Sequence, residues 1–209
     1  ERAQIQTEPK WFPAVENRGE GVFVELRASA VREWLARPGV KARLGDLESG
    51  HQRWAEERKS DRPFPGGPYI LLHTLSHLLL QALAMKAGYS ASSIRERIYA
   101  DFESERYGIL LFTGSSDAEG TLGGLVAEAR HMESHLKMAL STAALCSNDP
   151  ICAQHVPDNS MERRYLHGAA CHGCTLVAET SCEMRNEYLD RALVVPILGV
   201  EDAALFEGA

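Results

Sequence analysis

Basic residues are outnumbered in this sequence. Its 209 residues include 22 Lys and Arg against 29 Asp and Glu, which gives a formal net charge of -7 and a sequence pI near 5.6. A domain whose surface is dominated by nucleic-acid contacts carries the opposite balance. Any contact with DNA is therefore expected to be local or shared with a partner. The rest of the composition, 44% hydrophobic, is typical of a globular protein with one sizeable core or two small ones.

Signals for export and membrane insertion are also absent. The sequence has no secretory signal and no apolar run of bilayer-spanning length, and its odd number of cysteines, 5, fits poorly with a closed set of disulfides. We therefore expect a reducing, cytoplasmic setting and no membrane partner. The chain begins at Glu1 instead of a methionine, and its first residues resemble a loop from inside a protein. We expect a piece of something larger.

The glycine-rich stretch after residue 113 lacks the motifs of nucleotide binding. Neither the lysine-serine or lysine-threonine ending of a P-loop nor the spaced dinucleotide fingerprint is present, so ATP or NAD binding is not supported. Backbone amides at Gly120, Gly123 and Gly124 remain candidates for a DNA or partner contact, because a strand-to-helix turn can cradle a phosphate. A tight structural connection is the simpler interpretation.

Two histidines, His73 and His77, share one face of a predicted helix, at the spacing of helical zinc ligands. Thr74 stands where zinc proteases place a glutamate, so protease chemistry loses most of its support. Hydrogen-bonded core or interface residues are the favoured interpretation. A second metal site, a DNA or partner contact, or a metal-dependent hydrolase or nuclease that also uses Glu96 or Glu103 stays open.

All five cysteines lie between residues 146 and 182. Cys171 and Cys174 form a CxxC pair, and Cys146 and Cys152 form a looser pair closed by a predicted turn at residues 148–150. Two such pairs predict one structural zinc ion held by four thiolates. A zinc ion held in this way has no open coordination position, so it would fasten loops and would not catalyse.

Two alternatives to this ligand set remain. Cys182, which we interpret as a buried thiol at the start of a helix, is the rival fourth ligand, and His155, His167 and His172 lie among the cysteines. Cys171 and Cys174 would alternatively serve a thiol redox or sensing protein.

The apolar periodicity predicts an α+β fold, mostly helical with a few short strands and a C-terminal structural zinc site. Strands are expected over 21–26 and 107–113, with a further strand over 193–198. A first helix is expected from Ser29 to an interruption at Pro38, and a solvated helix or linker over about 40–60. A buried central helix is expected over 69–85, followed by a short helical turn opened by a Ser93/Glu96 capping box. Two further helices are expected from Leu122 to Ala143 and from about Thr180.

We expect one domain over 1–209. It would comprise an N-terminal strand and helical segment (1–60), a helix-strand-helix core (61–145) and a zinc-binding region (146–200).

These motifs together resemble the MrfA-type zinc-binding (MZB) domain. The resemblance covers about 13–200 and rests on His73-Thr-Leu-Ser-His77 in an apolar helix, the strand at 109–112, the turn at 120–124, and the long helix into the paired cysteines. It implies zinc on Cys146, Cys152, Cys171 and Cys174. Helicase members have closer spacing in the first pair, which leaves Cys182 as the rival ligand.

The family occurs at the C-terminal side of certain bacterial and archaeal superfamily 2 DNA helicases. The motor motifs are absent from this sequence, so any ATP-driven unwinding would belong to another domain or subunit. The resemblance therefore implies a non-catalytic accessory role in anti-phage defence or DNA repair. Its partners would be a superfamily 2 helicase subunit or domain, and DNA through the assembly.

Overall fold

The computed structural model describes residues 16, 19–90, 92–113 and 124–208. In the part of the chain that the structure describes, the strands and α-helices lie before Ala144, and turns, loops and one short 3-10 turn follow. The strands are β1 (Gly21–Leu26), β2 (Ile94–Asp101) and β3 (Arg106–Thr113); the helices are α1 (Ala28–Ala36), α2 (Pro38–Arg58), α3 (Gly67–Ala87), α4 (Gly124–Glu128) and α5 (Met132–Ala143); 3-10 turns span Ala129–His131 and Arg191–Leu193. The predicted α+β class is confirmed.

The three strands form an antiparallel sheet in the order β1-β3-β2. β3 is central and largely buried, as its unbroken apolar run predicts. β2 alternates buried Ile94, Glu96 and Ile98 with exposed residues between them. The predicted helical turn at Ser93 and Glu96 is therefore wrong, because this segment pairs with β3 as an edge strand.

Helix α3 is the core of the molecule. Gly66 and Gly88 flank it at φ 82° and 70°, conformations that favour glycine, and Pro68 lies in its first turn. Among the described residues it is the one helix long and apolar enough to cross a membrane, but 78% of that window is buried inside the protein. The sheet, α5 and the C-terminal loops cover its sides, so it is the buried central helix that its composition predicts.

Helix α2 packs more closely than its charge suggests. Pro38 is in its first turn, where a missing N–H costs nothing, so this proline starts α2 in addition to ending α1. Val40, Leu47 and His51 are buried, and the His51 Nδ1 lies 2.9 Å from the Tyr188 hydroxyl. Of the two expected alternatives, a solvated helix or a linker, the helix is confirmed, but one of its faces is buried against the rest of the protein.

The segment before the cysteines is helical but broken. A 3-10 turn at Ala129–His131 separates α4 from α5, and α5 ends at Ala143, three residues before Cys146. Leu122, where the predicted helix begins, lies outside the described residues.

The C-terminal segment contains neither the helix predicted from Thr180 nor the strand predicted over 193–198. Turns occupy residues 179–186, and Ile197 forms a single bridge with Val200. Apolar residues at helical spacing misled the prediction, because almost all of 188–197 is buried irrespective of face. Asp190 is wholly buried and binds Arg43, with 2.7 Å between Oδ2 and Nε.

Candidate metal centre

Four cysteine sulfurs from two separate loops converge on one point. The Sγ atoms of Cys146 and Cys171 are 3.4 Å apart, and those of Cys152 and Cys174 are 3.7 Å apart, as are those of Cys171 and Cys174. All four lie within 4.8 Å of one another. Zinc–sulfur bonds of about 2.3 Å in a tetrahedron separate the sulfurs by roughly 3.8 Å. The spacing of this four-cysteine site therefore fits a zinc ion.

The first loop is shaped by the Asp149 carboxylate. It accepts hydrogen bonds from the backbone N–H groups of Cys146, at 3.1 Å, and Ala153, at 3.0 Å. The buried Arg191 guanidinium donates to the same carboxylate and to the carbonyl oxygens of Ala143 and Ala144 at the end of α5. The predicted turn at 148–150 is present, and Arg191 fixes it against the helix.

Backbone amides point at the sulfurs. Asn148 N–H donates to Cys146 Sγ at 3.4 Å, and Gly173 N–H donates to Cys171 Sγ at 3.3 Å, so in each loop the donor lies two residues after the cysteine. The Asn148 side-chain amide also donates to Cys171 Sγ at 3.2 Å. Such donors favour thiolates, the form in which cysteine binds metal.

The thiols of this site do not ionise alike. A hydrogen bond from Cys152 lowers the pKa of Cys174 to about 5, although burial opposes the change. The same bond, followed by burial, raises the pKa of Cys152, and burial raises the pKa of Cys146 to about 11. One thiolate therefore resists the formation of others beside it. A divalent cation at the centre removes this conflict because it attracts every thiolate.

The other predicted ligands lie elsewhere. The sulfur of Cys182 belongs to a second buried group, with His73, His77 and Glu96. His155 hydrogen-bonds Glu162 through Nδ1, at 2.5 Å, and the Arg164 carbonyl through Nε2, at 3.1 Å. Among the described residues, neither His167 nor His172 lies in a cluster of side chains that could bind a metal ion.

His73 and His77 are hydrogen-bonded core residues, which is the interpretation favoured from the sequence, so burial corrects the open alternative of a DNA or partner contact. Both side chains are 0% exposed, so neither reaches a surface that DNA or a partner would touch. Burial on its own would lower the pKa of His73, but the Glu96 carboxylate and the bond to Cys182 raise it to about 10. Sequence reasoning placed Glu96 with the histidines as one option. It missed Cys182, which is 109 residues from His73.

Two backbone amides at the start of α4, next to the glycines predicted to cradle a phosphate, bind the protein's own carboxylate. Glu20 accepts hydrogen bonds from the backbone N–H groups of Leu125, at 2.9 Å, and Val126, at 3.2 Å, at the start of α4. A Cβ at Gly124 would lie 2.3 Å from the Tyr89 hydroxyl oxygen, so this glycine allows close packing. Gly120 and Gly123 lie outside the described residues.

Comparisons with known proteins agree with this chemistry. Residues 75–175 match the family model described as MZB, the MrfA Zn-binding domain. The chain is also 39% identical, over 202 residues, to a DISARM protein DrmB of Bacillus paralicheniformis (strain ATCC 9945a / NCIMB 11709 / CD-2). That alignment covers 95% of the chain and 35% of the DrmB sequence, so the chain spans about a third of this relative's length. The match and the convergent thiols together support zinc as the cofactor.

Proposed function

We propose that this chain, similar to a DISARM protein DrmB and to the MrfA Zn-binding domain, is a non-catalytic accessory module of an anti-phage assembly. Its ligands for zinc would be Cys146, Cys152, Cys171 and Cys174. The convergence of these four sulfurs from two loops carries the proposal. Four thiolates fill a tetrahedral shell and leave no position for water or substrate, so the zinc stabilises a surface on which partners assemble.

Metal analysis tests the zinc-binding role. The double substitution Cys146→Ser, Cys171→Ser removes one thiolate from each loop, and we expect purified protein to carry one equivalent of zinc fewer than the parent. Ile151→Ser is the matched control, because this exposed side chain lies in the same loop and offers no sulfur. A doubly substituted protein with the parent's zinc content would refute the assignment.

The outer face of the sheet is the surface that best suits DNA. The rings of Phe23 and Tyr99 are 55% and 46% exposed and lie 5.9 Å apart in an edge-to-face arrangement, with Gly108 beneath the Phe23 ring. Arg95 and Arg97 are exposed on the same face of β2, although Arg97 also lies 3.2 Å from Glu183. Exposed rings that stack on bases, beside guanidinium groups that bind phosphates, are typical of single-stranded DNA sites.

Binding at two salt concentrations tests the DNA contact. A single-stranded oligonucleotide would be titrated with the chain alone and with the superfamily 2 helicase that we propose as its partner. We expect Arg95→Ala with Tyr99→Ala to weaken binding several-fold and to reduce the salt slope by about 0.7 for the lost phosphate contact. Lys137→Ala is the control, since this exposed lysine lies on α5 and pairs with Glu133. Equal binding by parent and variant in both settings would overturn the DNA role.

The hydrolase alternative finds less support. His73, His77 and Glu96 do lie together, but all three are buried and Cys182 supplies a fourth donor, so a bound ion would have no open position. Glu103 is exposed in the β2–β3 turn, outside this group. Loss of DNA hydrolysis in His73→Ala, with hydrolysis retained after disruption of the four-cysteine site, would revive the alternative.

The redox alternative accounts for only half of the thiols. A redox pair formed by Cys171 and Cys174 would not need Cys146 and Cys152 beside it, yet each of the CxxC sulfurs lies within 3.7 Å of one of them. A reversible Cys171–Cys174 disulfide in metal-free protein, with thiol pKa values well below 8.5, would favour that alternative.

A further inference from the structure

We propose that the protein holds a second zinc ion, wholly inside the fold, on His73, His77, Glu96 and Cys182. This histidine site shares no ligand with the four-cysteine site and does not depend on the proposed function. All four residues are buried, and their donor atoms lie within 4.8 Å of one another.

The donor atoms are spaced for a small tetrahedral ion. His73 Nε2 lies 3.1 Å from Cys182 Sγ and 3.0 Å from Glu96 Oε1, and His77 Nε2 lies 3.2 Å from the same Glu96 oxygen. Zinc bonds of about 2.0 Å to nitrogen or oxygen and about 2.3 Å to sulfur separate the ligand atoms of a tetrahedral site with one sulfur by roughly 3.3–3.5 Å. A small outward adjustment of the side chains would admit the ion.

Hydrogen bonds at the far side of each ring fix the tautomers. His73 Nδ1 lies 3.2 Å from the Tyr188 carbonyl oxygen, and His77 Nδ1 lies 2.9 Å from the Thr175 carbonyl oxygen. A carbonyl only accepts, so each Nδ1 carries a proton and donates it. In a neutral ring this leaves a lone pair on Nε2, aimed at the centre of the group. Histidines that bind zinc are oriented in the same way.

The group is poorly satisfied without a cation. If the rings are neutral, two nitrogen lone pairs face a carboxylate and a sulfur. If one ring is protonated, its proton faces Glu96 and Cys182, but the lone pair of the other ring still faces the Glu96 carboxylate. If both rings are protonated, two imidazolium ions lie with ring centres 4.6 Å apart among buried groups. A zinc ion with two neutral imidazoles, one carboxylate and one thiolate has zero net charge. The cation therefore satisfies every inward-facing donor atom at once.

Cys182 has the local environment of a zinc-binding cysteine. Its sulfur accepts N–H bonds from Met184, at 3.3 Å, and Asn186, at 3.1 Å. The Met184 donor lies two residues after the cysteine, as do the donors to Cys146 and Cys171 in the four-cysteine site.

Glu96 is held in place as well. The Ser76 hydroxyl donates to one of its oxygens, and the Glu183 N–H donates to the other at 3.3 Å. Each of the four donors therefore has a partner that orients it.

The site would join three parts of the fold. The histidines come from α3, Glu96 from β2, and Cys182 from the C-terminal loops, which have little regular structure of their own. Thr175, which binds His77, directly follows Cys174 of the four-cysteine site. With four buried protein ligands, the second ion would be structural.

Zinc content and ligand type test the proposal on the purified parent chain. We expect two equivalents of zinc, and an X-ray absorption spectrum that fits five sulfur and three nitrogen or oxygen ligands over the two ions. One equivalent with sulfur ligands alone would overturn the second site and leave the four-cysteine site intact. This measurement needs no variant, so failure of a variant to fold cannot obscure it.

Variants then separate the two sites. Cys182→Ser with His77→Gln is expected to retain one equivalent with all-sulfur ligation, whereas Cys146→Ser with Cys171→Ser retains one with mixed ligation. His135→Gln is the control, since this buried histidine of α5 bonds Glu128 of α4, and it should retain two. A Cys182/His77 variant with two equivalents would contradict the proposal.

Discussion

Asp190 and Arg191 are adjacent in sequence but bind different parts of the fold. The Asp190 carboxylate accepts from Arg43 of α2 and from the backbone N–H groups of Ala169 and Ala192, at 3.0 Å each. Arg191 donates to the end of α5 and to the loop of Cys146. One dipeptide thus joins α2, α5 and the metal loop, and its charges are stable only because each has its partner.

Substitution of Arg43 should destabilise the fold. Arg43→Met leaves the Asp190 carboxylate buried with its principal charge partner removed, so we expect the free energy of unfolding to fall by about 3–5 kcal/mol in urea titrations. Arg53→Met is the matched control, because Arg53 lies on the same helix and pairs with Asp158 where both side chains are more than 40% exposed. That substitution should cost about 1 kcal/mol or less. Equal costs would contradict a structural role for the buried pair.

His167 should make the fold sensitive to acid. Burial lowers its pKa to about 4, and its Nδ1 has no hydrogen-bond partner among the described residues. Between its unfolded pKa near 6.5 and pH 4 the unfolded chain binds the proton more tightly, so stability falls as pH falls through this window. From pH 7 to pH 5 we expect the parent to lose about 1–2 kcal/mol more than His167→Gln, at saturating zinc. Parallel pH profiles would contradict this account.

At the scale of elements, α2 is fitted to the C-terminal loops by a glycine. A Cβ at Gly50 would lie 2.4 Å from the Tyr165 carbonyl oxygen and 2.6 Å from Pro157 Cβ, whereas nothing lies within 4 Å of a Cβ at Gly45. Both glycines lie in α2, where glycine weakens a helix in water. Only Gly50 has a packing reason to be there.

The two glycines make a matched pair of substitutions. Gly45→Ala is expected to raise the free energy of unfolding by about 0.5–1 kcal/mol, through helix propensity alone. Gly50→Ala should lower it by about 1–3 kcal/mol, because the new methyl group displaces a loop backbone. Thermal melts of both variants at saturating zinc would measure the difference. Stabilisation by Gly50→Ala would mean that the loop at 157–165 does not pack on α2 as described.

Elements whose cause is local could be predicted from the sequence. The apolar runs of β3 and α3 and the turn between Cys146 and Cys152 each depend on neighbouring residues. β2 was missed because Glu96 occupies a buried position and breaks the alternation that Ile94 and Ile98 would otherwise show. The C-terminal segment was missed because partners distant in sequence shape it. Cys182 is an example, since its sulfur lies 3.1 Å from Nε2 of His73, which is 109 residues away.

At the scale of the whole molecule, the chain has two parts, one built of helices and strands and one built of metal-binding loops. Up to Ala143, helices and the sheet bury a shared core around α3. Beyond it, backbone bonds such as Gly168 N–H to the Leu189 carbonyl, at 2.9 Å, are scattered between turns. Such a segment keeps its shape through side-chain packing and bound ions, so its local stability should depend on metal more than that of the sheet does.

Metal removal should therefore lower the local stability of the C-terminal loops more than that of the sheet. After treatment with a chelator, we expect amide hydrogen exchange over 144–190 to accelerate at least tenfold, equivalent to about 1.4 kcal/mol of opening free energy, while β1 and β3 change less. Cys146→Ser with Cys171→Ser should reproduce the loss around 146–174 without chelator, and Ile151→Ser should not. Equal acceleration in the sheet and the loops would instead describe one cooperative unit, in which the metal-binding loops stabilise α3 and the sheet as much as they are stabilised by them.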